Sequence, residues 1–106
     1  MAIAAVSITP IGEGVSVSRF VAAAQEVLRG QDRLDYRLDP MFTTLEGELP
    51  DIYALVQAMQ EAVFAAGAQR VSTVIKIDDR RDRRVRMQDK LDSVESKLRQ
   101  KGPVGD

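Results

Sequence analysis

Apolar residues recur along this chain with two different periods, and the period changes where Pro and Gly interrupt it. Residues 2–9 form a short apolar run bounded by Pro10 and Gly12, which predicts a buried strand. After the loop 10–14, the positions Val17, Phe20, Val21, Ala24, Val27 and Leu28 are spaced by threes and fours. That is the stripe of a one-sided helix, with Ser16 or Ser18 placed to cap its start and Gly30 to end it through a left-handed turn. Residues 34–38 and 41–46 are two short extended pieces around Asp39-Pro40 and predict a hairpin. Pro50 and Asp51 then open a second helix, because proline tolerates the first helical turn and an acid favours its positive end. Its stripe is Ile52, Leu55, Val56, Met59, Ala62, Val63 and Ala66, and it stops at Gly67. Residues 70–77, Arg-Val-Ser-Thr-Val-Ile-Lys-Ile, are the last strand.

The order is β-α-β-β-α-β, and two one-sided helices need one sheet face to cover. The fold class expected is α+β: a ferredoxin-like βαββαβ antiparallel sheet with both helices on one face. A further amphipathic helix over about residues 80–100 carries Met87, Leu91, Val94 and Leu98 at spacings of four, three and four, a narrow coiled-coil-like seam. One domain spanning residues 1–101 is expected, with 102–106 as a flexible tail. Alternation puts Ala4, Val6 and Ile8 of the first strand on one face and Ile3, Ala5, Ser7 and Thr9 on the other, and in the last strand sets Val71, Thr73, Ile75 and Ile77 against Ser72, Val74 and Lys76. Neither set is hydrophilic, so whichever face the helices leave is too apolar for water alone and is expected to be covered by a second subunit, by the C-terminal helix, or by both. A homo-oligomer is expected.

Charge sharpens the division. Residues 1–78 hold 6 Lys/Arg against 10 Asp/Glu, whereas residues 79–101 hold 9 against 5. Five arginines between Arg80 and Arg86 invite a nucleic-acid reading, but no aromatic residue lies near them for bases to stack on. They are read as a solvated helix start with intersubunit salt bridges, and no nucleic-acid partner is expected. The chain of 106 residues contains no Cys and no His. Disulfides, thiolate nucleophiles, Ser-His couples and zinc sites with N/S ligands are thereby excluded. No stretch reaches the roughly 18–20 apolar residues that span a bilayer, and the N-terminus reads as a strand. A cytoplasmic protein with no membrane partner is expected.

The chemistry that remains is modest. Gly12-Glu-Gly14 lacks the full phosphate-loop pattern and carries a repelling acid. Glu46-Gly47-Glu48 places two carboxylates at a strand end, a weak pattern for acid–base work or a hard cation, and otherwise a helix cap. Ser7, Thr9, Thr43, Thr44, Ser72, Thr73 and Lys76 concentrate small polar groups on the strands. A semi-polar pocket of hydroxyls with one carboxylate suits a small heteroaromatic ligand.

Ser7-Ile-Thr-Pro-Ile-Gly12, Pro40-Met-Phe-Thr43, Leu45-Glu-Gly-Glu48 and Val74-Ile-Lys-Ile-Asp-Asp-Arg80, in this order over residues 3–100, resemble the small thiamine-binding-protein family. The resemblance implies a ferredoxin-like domain that dimerises through its sheets and often forms tetramers. It implies binding of thiamine or its hydroxymethylpyrimidine moiety without catalysis, hence no enzyme, no metal and no cofactor beyond the bound ligand. The positions it marks for the ligand are Ser7, Thr9, Thr43, Glu46 and Lys76. Phe42 stands where the family often has glycine, a bulk that would narrow the pocket. The alternative, from another class, is a structural or regulatory interaction module whose basic C-terminal helix docks on a partner.

Overall fold

The computed structural model describes residues 1–100, so the tail expected at 102–106 lies outside the described residues. The elements are β1 (Ala2–Pro10), α1 (Ser18–Arg29), β2 (Asp35–Leu38), β3 (Thr43–Gly47), α2 (Leu49–Ala65), β4 (Val71–Asp79) and α3 (Met87–Gln100). The sheet is antiparallel throughout, in the order β2-β3-β1-β4. This is the expected βαββαβ sandwich with a C-terminal helix.

Both helices cover the face that β1 builds from Ala2, Ala4 and Val6, all buried, and β3 adds Leu45 between them. Two alanines in the central strand leave room for Phe20 and Leu28 of α1 and for Ile52, Met59 and Val63 of α2, none more than 2% exposed. These side chains form one core. At the entry to α2, Gly47 is required by close approach: a Cβ there would collide with the side chain of buried Leu34.

Three local expectations are corrected. Neither Ser16 nor Ser18 caps α1: the cap position is Val17, without a side-chain hydrogen bond. Instead the Val17 carbonyl accepts from the Phe20 and Val21 amides, and Val17 packs against the core. Gly30 ends α1 with φ −84°, which is not left-handed. The work of stopping falls to Gln31, whose Nε2 donates to the Leu28 and Leu34 carbonyls while its Oε1 accepts from the Leu34 amide. The last helix begins at Met87, not near residue 80. Between β4 and α3, Arg81 pairs with Asp79 and Arg80 with Asp82, and the Arg80 hydrogen bond holds the Asp82 carboxyl at about 2. Pairs two residues apart fix an irregular turn, because helical neighbours sit three or four apart. Arg80, Arg81, Arg84 and Arg86 thus find acids within the chain.

Helix α3 differs from the other two. It buries no residue, and Leu91, Val94 and Leu98 are at least half exposed. The radius of gyration is 16.5 Å, against about 13 Å for a compact chain of this length.

Candidate functional site

Strand β3 carries the two buried polar side chains of the described residues, Thr43 and Glu46, at 5% and 3% exposure. They stand three positions apart, about 10 Å along the strand, and by strand alternation they point to opposite faces of the sheet.

At the Thr43 end, β1 outruns its neighbour. Its pairing with β3 finishes at Val6↔Thr43, whereas its pairing with β4 continues to Pro10↔Val71. The turn Asp39–Phe42, closed by the Asp39 amide donating to the Phe42 carbonyl at 3.0 Å, sits across the gap. The result is a cavity of about 300 Å³ between the end of β1, helix α1 and the hairpin turn. Its polar lining is Ser7, Thr9, Gln25, Asp39 and Thr43. Its apolar walls include Phe42, Met41, Met59 and Val21. The Gln25 Nε2 donates to Thr43 Oγ1 at 3.1 Å. Having accepted that bond, the threonine hydroxyl still has its own proton to offer.

At the other end, Glu46 is satisfied within the chain. One carboxylate oxygen accepts from Arg86 Nη2 at 2.6 Å and the other from the Met87 amide at 2.8 Å. Arg86 also hydrogen-bonds Asp35. Asp89 reaches back to accept from the Arg86 amide at 3.0 Å, which is half of a capping box. Glu46 is thus the acceptor that starts α3. Farther along the helix, Lys90 pairs with Asp78 of β4, and Arg37 donates to Gln88. The Lys90 hydrogen bond and charge hold the Asp78 carboxyl below its usual range.

The five sequence-marked positions therefore fall into two groups. Ser7, Thr9 and Thr43 line one cavity. Glu46 and Lys76 lie outside it, Lys76 being exposed on the uncovered face opposite Ala5. Sequence reasoning missed Gln25 and Asp39. Gln25 had a signal, a polar residue beside the apolar stripe of α1; Asp39 was hidden as a turn residue before Pro40. A larger cleft, about 750 Å³, lies between α3, Ile3 and residues 80–85. Several of its charged groups are already paired, Lys90 with Asp78 and Arg80 with Asp82, so it offers a ligand less than the smaller cavity does.

The cavity can hold one flat, semi-polar ring: hydroxyls and an amide to read ring nitrogens, a carboxylate for an amine or cation, and an aromatic ring with two thioethers for its faces. Among the described residues no group of three or more Asp or Glu side chains gathers to hold a metal ion, and no helix is long and apolar enough to cross a membrane.

The sequence profile of the family described as thiamine-binding protein matches residues 4–95. The UPF0045 protein YqgV of Bacillus subtilis is 48% identical over 102 residues, covering 92% of this chain and 98% of that one. A UPF0045 protein of Methanothermobacter thermautotrophicus is 41% identical over 100 residues, covering 92% and 100%. Among solved structures, the MJ1052 protein of Methanocaldococcus jannaschii superposes with a TM-score of 0.81 at 35% identity, over 89% of this chain and 95% of that one. A candidate thiamine biosynthesis/salvage protein from Thermotoga maritima gives 0.75 at 19% identity over 88% and 97%, and shares the fold.

Proposed function

This chain belongs to the thiamine-binding protein family, and from that membership we propose that it is a non-enzymatic cytoplasmic protein that binds thiamine or its hydroxymethylpyrimidine moiety. The observation that carries the reading is the cavity at the end of β1, with Thr43 and Gln25 held together at 3.1 Å at its polar side. Its volume sits at the low end for small-molecule sites, which favours a single heteroaromatic ring enclosed and the rest of a ligand left outside. An aminopyrimidine offers an exocyclic amine as donor and ring nitrogens as acceptors. Asp39 or the Gln25 carbonyl accepts from the amine, and Ser7, Thr9 or Thr43 donates to the ring. Asp39 also gives a cationic thiazolium a counter-charge that Glu46, committed to Arg86, does not. Phe42 and Met41 close over the ring. Self-association to a dimer or tetramer accompanies binding in this proposal.

A thermal-shift panel with thiamine, its phosphates and hydroxymethylpyrimidine tests it. A ligand that binds only the folded chain adds about 2.7 kcal/mol of stability at a hundredfold excess over Kd. A saturable rise with one of these compounds is expected, and a flat panel at millimolar concentrations overturns the reading. The second reading, an interaction module, is favoured by one feature, the exposed apolar seam of α3. A flat panel together with partner capture that is lost on Leu91→Ser would establish it.

A further inference from the structure

The chain carries four methionines and neither cysteine nor histidine, so a thioether is the softest nucleophile it offers to an oxidant. The fold treats the four unequally. Met59 of α2 is 2% exposed, and Met1 and Met87 are half-buried. Met41 is 79% exposed. It sits in the turn Asp39–Phe42, which belongs to neither β2 nor β3, so no strand pairing shields it. Met41 and Met59 nevertheless line the same cavity. One is sealed in the core behind it, and the other stands in solvent at its mouth.

We propose that Met41 is an oxidation site through which a hydroperoxide closes the ligand cavity, and that its reduction reopens it. The sulfur lone pair attacks one peroxide oxygen and the O–O bond breaks. The leaving hydroxide takes the proton of the transferred oxygen and departs as water, so sulfur loses two electrons and the peroxide gains them. Two thiols, the reductant class that sulfoxide reductases draw on, return the thioether and leave as a disulfide, with water as the other product. As a thioether, Met41 is an apolar and polarizable cover for an aromatic ring. As a sulfoxide it carries a polar oxygen that only accepts hydrogen bonds, at a cavity whose lining already holds the Asp39 carboxylate. That oxygen must give up its hydration to pack on a ring, and nothing in an apolar ring face replaces it. Met59 stays out of reach of the oxidant, so the core is untouched while the mouth changes. Ligand and oxidant therefore oppose each other, a coupling that rests on the pyrimidine ligand proposed above. A ring held under Met41 shields it, and a modified Met41 releases the ring.

Hydrogen peroxide applied to the whole chain, with the added oxygen located by tandem mass spectrometry, tests the site. Met41 is expected to be oxidised about tenfold faster than Met59, and ahead of Met87, as exposure dictates. Saturating hydroxymethylpyrimidine is expected to slow Met41 and no other methionine. The oxidised chain is expected to bind this compound about tenfold more weakly by calorimetry, as is Met41→Gln, whose amide imitates the sulfoxide. A methionine sulfoxide reductase with dithiothreitol is expected to restore the affinity. Met41→Leu, whatever its own affinity, is expected to keep one Kd before and after peroxide. Met41 modified no faster than Met59 overturns the proposal. So does an oxidised chain that binds as tightly as the reduced one, or a Met41→Leu variant that peroxide weakens as much as the wild type. If hydroxymethylpyrimidine binds to neither form, the functional reading fails, and the order of oxidation decides the site by itself: Met41 first supports it, any other order overturns it.

Discussion

Thr43 and Glu46 are neighbours on one short strand, equally hidden from water, and they have opposite fates. Thr43 has a single partner, the Gln25 amide, and beyond it an open cavity. Glu46 has both oxygens filled by a guanidinium and a backbone amide from the start of α3. The first group retains hydrogen-bonding capacity for something that arrives later; the second has spent its capacity on joining a helix to the sheet. A buried polar residue is thus a binding candidate only to the extent that its own chain leaves it unfinished.

The largest effect expected comes from breaking the finished end. Arg86→Ala strands the Glu46 carboxylate at 3% exposure without its cation. Leaving a buried charge unpaired is expensive, and with some water entry the expected loss is about 2–3 kcal/mol in urea unfolding. Arg84→Ala is the control, because the exposed Arg84 meets Glu48 at 3.7 Å on the surface and its loss is expected to stay within about 0.5 kcal/mol. Equal costs for the two variants would mean that Glu46 is not sealed as described.

The unfinished end answers to a different measurement. Thr43→Val keeps the shape and removes the hydroxyl, so stability is expected to fall by less than about 1 kcal/mol. Affinity for the pyrimidine ligand is expected to fall about tenfold, which is about 1.4 kcal/mol by titration calorimetry. Glu46→Gln should do the reverse, lowering stability with Kd unchanged. If Glu46→Gln weakens binding as much as Thr43→Val does, the two ends belong to one site and the contrast between them fails.

How much of this was open to inspection in the sequence depends on the range of the interactions. The strands and both core helices were legible because burial imposes a period, as in Val56, Met59 and Val63 one face apart. The start of α3 was not. A run of arginines looks helical and solvated, and nothing local says that a glutamate 41 positions earlier will accept the Met87 amide. The same limit hid that Glu46 is bonded to Arg86 and that Asp39 lines the cavity beside Thr43: a carboxylate's surroundings are set by which cation reaches it, and that is a tertiary fact. The end of α1 shows it on a smaller scale, where a glycine in a favourable place was not needed because Gln31 bonds both flanking carbonyls.

The smallest effect concerns α3 itself, and it separates a helix held by charge from a core held by burial. Helix α3 buries no side chain, so its hold on the body is the set Arg86–Glu46, Arg86–Asp35 and Lys90–Asp78. Salt near 1 M shrinks the screening length to about 3 Å and should loosen the exposed members of that set, while leaving the apolar core unaffected. Acid should act in the same direction. The Lys90 hydrogen bond lowers the Asp78 pKa in the folded chain, so its contribution is present above the ordinary carboxylate pKa and is lost as pH falls through the lowered value. Hydrogen exchange resolves this. Amides of Met87–Gln100 are expected to lose protection in high salt and again in acid, with β1 and α2 unchanged in salt. Persistent protection of α3 under both conditions would mean that Leu91, Val94 and Leu98 are buried against another copy, and that apolar packing, not charge, fixes the helix.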